Sequence, residues 1–414
     1  MTIDGAAYTL DNPGNRTAKT DERTGVTSNY TYDAIYELTK VTQGTNTTES
    51  YTFDPVGNRL SSLGVSPYNY NTSNEIISTP STTYTYDNNG NTLTSTTGSN
   101  TTSYIWDFEN RLSSVTLPGS GGTVSFKYDP FGRRIEKATS STTSIYAYDG
   151  DNLIEEASST GTAAARYAMG LYIDEPLAIL QGATTDYYQI DGLGSITSLS
   201  NSSGANAETY TYDSFGNLTA STGSLTNRYR YTGREFDSET SLYYYRARYY
   251  DPATGRFVSE DPIGFIGGIN FYTYVVNNPV IFVDANGLWH NTGRPSNPKD
   301  NTIVCNGKGG IRVQLGDTGT ADQTKCLGPC IAAHEASHKR DALAANPTVC
   351  QGAASGIQVA MEPQEQSPSE IAAANAEINC LKKQRPTACD SCQQKIDQRI
   401  KQERGYRDGF KKPN

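Results

Sequence analysis

The sequence predicts a multidomain chain, an all-β array of stacked hairpins followed by a small, mainly α, disulfide-rich domain. Three observations point to it. A motif of aromatic, any residue, aromatic, Asp recurs through the first 230 residues, mostly at steps of 20 to 22. Of the 29 tyrosines, 28 precede residue 289. All seven cysteines and all three histidines follow residue 288. Charge divides at the same place, about −14 for residues 1–288 and about +4 for 289–414. An acidic first part either complements a mildly basic second part or serves solubility alone.

The repeat copies read Tyr30-Thr31-Tyr32-Asp33, Tyr51-Thr52-Phe53-Asp54, Tyr84-Thr85-Tyr86-Asp87, Tyr104-Ile105-Trp106-Asp107, Phe126-Lys127-Tyr128-Asp129, Tyr146-Ala147-Tyr148-Asp149 and Tyr210-Thr211-Tyr212-Asp213. Several continue into a Gly-Asn or Gly-Arg pair, as at Gly57-Asn58, Gly90-Asn91 and Gly132-Arg133. Aromatics at i and i+2 lie on one face of a strand, and the Gly-Asn pair is expected to supply two positive-φ positions of a tight turn. Each unit is therefore one hairpin, about ten in all, and neighbouring hairpins must share an aromatic wall that none can bury alone. Thr and Ser fill the opposite face.

These copies resemble the Rhs and YD-repeat family. The resemblance tightens over residues 229–288, YRYTGREFDSETSLYYYRARYYDPATGRFVSEDPIGFIGGINFYTYVVNNPVIFVDANGL, which is similar throughout to the Rhs-associated core. It implies a β-cocoon-like YD-repeat shell over 1–228 and, over 229–288, a plug that cuts the chain itself. A polar linker at 289–301 and a toxin domain at 302–414 would follow. By the same resemblance the cut is of aspartyl-protease type, between Leu288 and Trp289, with Asp261 and Asp284 as the acid pair and Arg248 as the nearby cation. Two adjacent carboxylates cannot both ionise, so one activates a water and the other protonates the leaving amide. The family's Pro after the second Asp is Ala285 here. Because that Pro restricts the residue before it and carries no chemistry, cleavage is expected to survive. The family's YYHTDHLGS stretch is matched by Tyr187 to Ser195 with both histidines replaced.

Beyond the linker the segment Cys330-Ile331-Ala332-Ala333-His334-Glu335-Ala336-Ser337-His338 reads as a helix. Histidines at i and i+4 then face the same way, a spacing that suits two Zn2+ ligands, with Glu335 placed to take a proton from metal-bound water. A third ligand is expected from the helix that begins at Ser367. Similarity to gluzincin-type metallopeptidases favours Glu370, with Glu377 as the alternative; Glu370 also fits a capping box with Ser367. Tyr406 and His290 are candidates for steadying an oxyanion, and spacing selects neither. Cys326-x-x-x-Cys330 with Cys389-x-x-Cys392 suits either a structural zinc site or disulfides. The odd cysteine count leaves one thiol over.

The sequence thus predicts a secreted toxin whose shell cuts itself and releases a zincin-like, zinc-dependent hydrolase acting on a protein or peptide substrate in a competitor or host cell. A cognate immunity protein and a secretion apparatus are the expected partners. The alternative is a cell-surface or carbohydrate-binding YD-repeat scaffold with a non-catalytic, disulfide-rich C-terminal module. Nucleic acid is not an expected partner, since the last domain is only weakly basic. No run of eighteen apolar residues is present to span a membrane. The N-terminus lacks a basic-then-apolar leader, so an export signal is expected outside this stretch.

Overall fold

The computed structural model describes residues 4–288, 302–305 and 311–314. Two compact units divide the chain, Met1–Gly293 and Arg294–Asn414. In the second unit the described residues form one antiparallel hairpin, Thr302–Cys305 with Ile311–Gln314. The residues expected to form a zinc site, His334, Glu335, His338, Glu370 and Glu377, the oxyanion candidates Tyr406 and His290, and every cysteine but Cys305 lie outside the described residues, as does Trp289.

In the first unit 22 strands from Ala6–Leu10 to Leu218–Gly223 run in sequence order, each antiparallel to the next, as a six-stranded and a sixteen-stranded sheet. The order follows from the repeat: each hairpin supplies two strands, and its aromatic face needs the next hairpin beside it. Burial alternates as the i, i+2 spacing requires, with Tyr84 and Tyr86 half-buried and Thr85 exposed. The exposed face carries cross-strand threonine pairs, such as Thr85 with Thr94 at 2.6 Å.

The repeat turn uses its Asp and Asn differently from the expectation. Only Gly57 takes a positive φ, +81°; Asn58 does not. The Asp54 amide donates to the Asn58 carbonyl at 2.9 Å and the Gly57 amide to the Asp54 carbonyl at 3.0 Å. Asp54 Oδ1 accepts the amides of Val56 and Asn58 at 3.0 and 2.8 Å, and Oδ2 accepts Asn58 Nδ2 at 3.0 Å. The loop is therefore a type I turn closed by one left-handed residue. Asn58 serves as a side-chain donor to the aspartate, which explains why Arg replaces it elsewhere: Arg133 Nε reaches Asp129 Oδ2 at 2.7 Å. The second aromatic has its own task. Tyr128 Oη donates to the Leu112 carbonyl at 2.7 Å, Tyr148 Oη to the Arg134 carbonyl at 2.9 Å, and Trp106 Nε1 to the Thr92 carbonyl at 2.7 Å, each stapling a hairpin to the one before.

Because the turns that follow the Tyr-x-Tyr-Asp repeats each join an odd strand to an even one, these turns share one rim, and residues 229–288 pack there. Their strands Glu235–Asp237, Leu242–Tyr245, Arg248–Asp251 and Arg256–Phe257 form a separate four-stranded sheet. Side chains of residues 229–288 bond the turns: Tyr272 Oη donates to the Gly90 carbonyl at 2.8 Å, Tyr243 Oη to that of Gly216 at 3.0 Å, and Asn277 Nδ2 to that of Gly57 at 2.8 Å. Arg134 of the shell wall, fully buried, pairs with Glu235 at 2.8 Å and Asp237 at 2.5 Å. The segment is thus a plug keyed to the shell by polar contacts as well as by its tyrosines. Among the described residues no helix is long and apolar enough to cross a membrane.

Candidate active site

Arg248 opens the third strand of the plug sheet, Asp261 begins the turn before the short helix Gly264–Ile266, and Asp284 lies near the end of the described plug. The structure brings all three together. Arg248 Nη2 stands 2.8 Å from Asp261 Oδ2 and 3.4 Å from Asp284 Oδ2. The three residues are only 2%, 6% and 4% exposed, which removes bulk water from the charges and strengthens every interaction among them.

Every nitrogen of the Arg248 guanidinium has a partner. Nε donates to the Gly287 carbonyl at 2.6 Å and Nη1 to the Phe271 carbonyl at 2.8 Å, while the Phe257 ring lies 3.6 Å from Cζ. Burial lowers its pKa, and the facing carboxylates oppose that. Burial raises the Asp284 carboxyl above the ordinary aspartate value, against the pull of Arg248 and of the amides of Leu288, Gly287 and Asn286. Asp284 Oδ1 accepts the Leu288 amide at 3.1 Å, so the residue before the expected cut is tied to the acid pair.

Gly287 is required at its place. Its φ is +66°, and a Cβ there would lie 2.3 Å from the Tyr245 carbonyl oxygen. The backbone therefore runs against the turn between Tyr245 and Arg248 closely enough for Arg248 to grasp it. Ala285 leaves Asp284 within reach of Arg248 without the family's proline.

Sequence reasoning missed Arg246, whose Nη1 donates to the Ala285 carbonyl. Strand alternation gives no signal for it, because Arg246 lies in the two-residue turn between Tyr245 and Arg248 with a left-handed backbone. It also missed degenerate repeats. Asp191, in the stretch that lacks the family's histidines, forms an ordinary repeat turn: its Oδ1 accepts the amides of Leu193 and Ser195 at 2.9 and 3.0 Å. Asn71 does the same with Ser73 and Glu75. Lys19 pairs with Asp191 at 2.6 Å, which fastens the first hairpins to a late turn.

A family model, the Teneurin YD-shell, matches residues 15–280. The chain belongs to this YD-shell family. The tRNA3(Ser)-specific nuclease WapA of Bacillus spizizenii is 33% identical over 275 residues, which cover 62% of this chain and 12% of that protein. The uncharacterised YibJ of Escherichia coli is 45% identical over 103 residues, 24% of this chain and 44% of YibJ. Toxin subunit YenC1 of Yersinia entomophaga is 50% identical over 60 residues, 14% of this chain and 6% of the subunit. The crystal structure of TcdB2-TccC3 aligns with a TM-score of 0.39 at 19% identity, over 68% of this chain and 20% of that one. The YD-shell chain therefore spans about an eighth of the nuclease it matches.

Proposed function

We propose that the plug of this YD-shell protein cleaves its own chain between Leu288 and Trp289, and that residues beyond the cut form a zinc-dependent toxin delivered to a competitor or host cell. The observation that carries the cleavage reading is the seating of Asp261 and Asp284 on one buried guanidinium, with the Leu288 amide bonded to Asp284.

In this reading Asp261, the closer partner of Arg248, stays ionised and takes a proton from the attacking water. Asp284, whose proton burial favours, serves as the acid. Water adds to the Leu288 carbonyl, the bond to the Trp289 nitrogen breaks, and that nitrogen leaves protonated. Arg248, by holding the Gly287 carbonyl, fixes the backbone one residue before the reacting carbon.

For the released domain the donor set fits Zn2+: two imidazoles at i and i+4 and a carboxylate from Glu370, or alternatively Glu377, with Glu335 beside them. Bound zinc would acidify a water, and Glu335 would accept its proton. The substrate class proposed is a protein or peptide, and a cognate immunity protein and a secretion apparatus are the proposed partners.

Asp284→Asn and Asp261→Asn should each leave the chain whole in a mass spectrum while wild type splits in two; a split Asp284→Asn chain would contradict the acid pair. Glu335→Gln should abolish killing of target cells yet keep one zinc per chain. Undiminished killing, with cellular tRNA cut, would move the reading to an activity like that named for WapA.

A further inference from the structure

The turn joining Leu242–Tyr245 to Arg248–Asp251 is two residues long, Arg246 and Ala247, since Tyr245 pairs with Arg248. Arg246 holds φ at +60° in the first central position, where glycine is the ordinary occupant. A backbone strained in this way persists when the surroundings impose it, and such positions concentrate at functional sites. What the side chain does there is visible.

Arg246 Nη1 donates to the Ala285 carbonyl and to Asp174 Oδ2, the latter at 3.1 Å. Its Nη2 donates to Asp174 Oδ1 at 2.7 Å and to the Asp151 carbonyl at 3.0 Å. Asp151 and Asp174 lie in rim turns of the shell; Ala285 lies in the segment leading to the cut. Asp174 is held in turn by Arg234 Nη1, while Arg234 Nη2 donates to the Tyr244 carbonyl at 2.9 Å. Ala247 and Arg248, the next two residues in the chain, continue the grip. The Ala247 amide donates to the Asn286 carbonyl at 3.1 Å, and Arg248 Nε to that of Gly287 at 2.6 Å. Residues 246, 247 and 248 thus hold three successive carbonyls, 285, 286 and 287, and the first of these holds is anchored on the shell.

We propose that Arg246 is a positioning residue for the cut after Leu288, and that its anchorage on Asp174 makes cutting conditional on a folded shell. The inference rests on the self-cleavage reading above. Without the turns at Asp151 and Asp174 the guanidinium loses its anchor and the leading segment loses one of its three holds. A chain whose shell has not closed around those turns then keeps its C-terminal domain attached.

The experiment follows cutting of the pulse-labelled full chain in cell-free synthesis, with melting temperatures measured on each variant in an uncut Asp284→Asn background. Arg246→Gly removes the backbone strain, so melting should hold or rise while cutting slows by about 10- to 100-fold, the scale of a small misplacement of reacting groups. Asp174→Asn should slow cutting in the same direction, Arg246→Lys should recover part of the rate, and the pH profile should keep its wild-type midpoint in all three. Wild-type cutting by Arg246→Gly, or a rate loss that only follows a fall in melting temperature across all three variants, overturns the proposal. Asp284→Asn alone serves as the control: cutting that persists there sinks the acid pair itself, whatever Arg246 does.

Discussion

Tyr128 and Tyr244 show how the two regions of this molecule differ. In the shell, Tyr128 Oη reaches the Leu112 carbonyl, 16 residues back on the preceding hairpin. In the plug, Tyr244 is fully buried and its hydroxyl reaches the Gly132 carbonyl at 3.2 Å, 112 residues away. One residue type thus makes local staples in the wall and long-range keys in the plug. The same split runs through the turns. Phe131 and Phe215 occupy the same position of the same Asp turn, yet Phe131 is 83% exposed and Phe215 is fully buried, its ring packed against Tyr51 and Arg59 of an early hairpin and Val280 of the plug. A repeat fixes its own geometry; what its phenylalanine buries depends on the side chains it meets from other hairpins and from the plug.

The comparison can be broken at several points. The largest effect is expected at Arg134, where wall and plug share buried charge: Arg134→Ala would strand Glu235 and leave Asp237 with Lys137 alone, 3.1 Å away, at a cost of about 3–5 kcal/mol. Urea unfolding of the uncut protein would measure it, and a loss below about 1 kcal/mol would show that the pair does not join the two regions. Phe215→Ala should cost about 3–4 kcal/mol by the same measurement. Phe131→Ala should stay within about 0.5 kcal/mol. Equal losses would mean that burial does not distinguish the two turns.

A smaller effect sharpens the picture by pH. Burial, with Asp213 nearby, pushes the Glu49 carboxyl up to about 7, although Tyr51 Oη donates to it at 2.9 Å. The folded chain then holds the proton more tightly than the unfolded chain, whose carboxyl titrates near 4.5. Stability should therefore fall as pH rises from about 4.5 to about 7 and level off above. Glu49→Gln should reduce that slope, which buried Glu37, also pushed up to about 7, shares, and melt higher than wild type at pH 8; parallel melting curves across that window would count against it.

The shell was legible in sequence because its information is local. The Tyr-x-Tyr-Asp spacing sets strand faces, and the aspartate closes its own turn within four residues. Legibility failed where the motif had drifted, at Asn71 and Asp191, because Asn or a Gly-Leu-Gly loop makes the same hydrogen bonds with different letters. The two-position reading of Gly57-Asn58 failed for a related reason: a side-chain donor and a left-handed backbone leave similar composition. In the plug, family resemblance supplied Arg248, Asp261 and Asp284, but nothing within reach of each residue in sequence brings them together. Their meeting depends on the hairpin that grips residues 285–287, and Arg246 with its shell partner Asp174 lies 72 residues from being local. The residues expected to bind zinc lie outside the described residues, so the reading of His334, Glu335 and His338 rests on their spacing alone.

Self-cleavage by the plug after Leu288 is the proposal on which the release of the C-terminal residues depends. The direct measurement is the N-terminal sequence of the smaller fragment from freshly purified protein. Trp289-His290-Asn291 at its start is the expected result; an intact chain, or a fragment starting elsewhere, would contradict the claim.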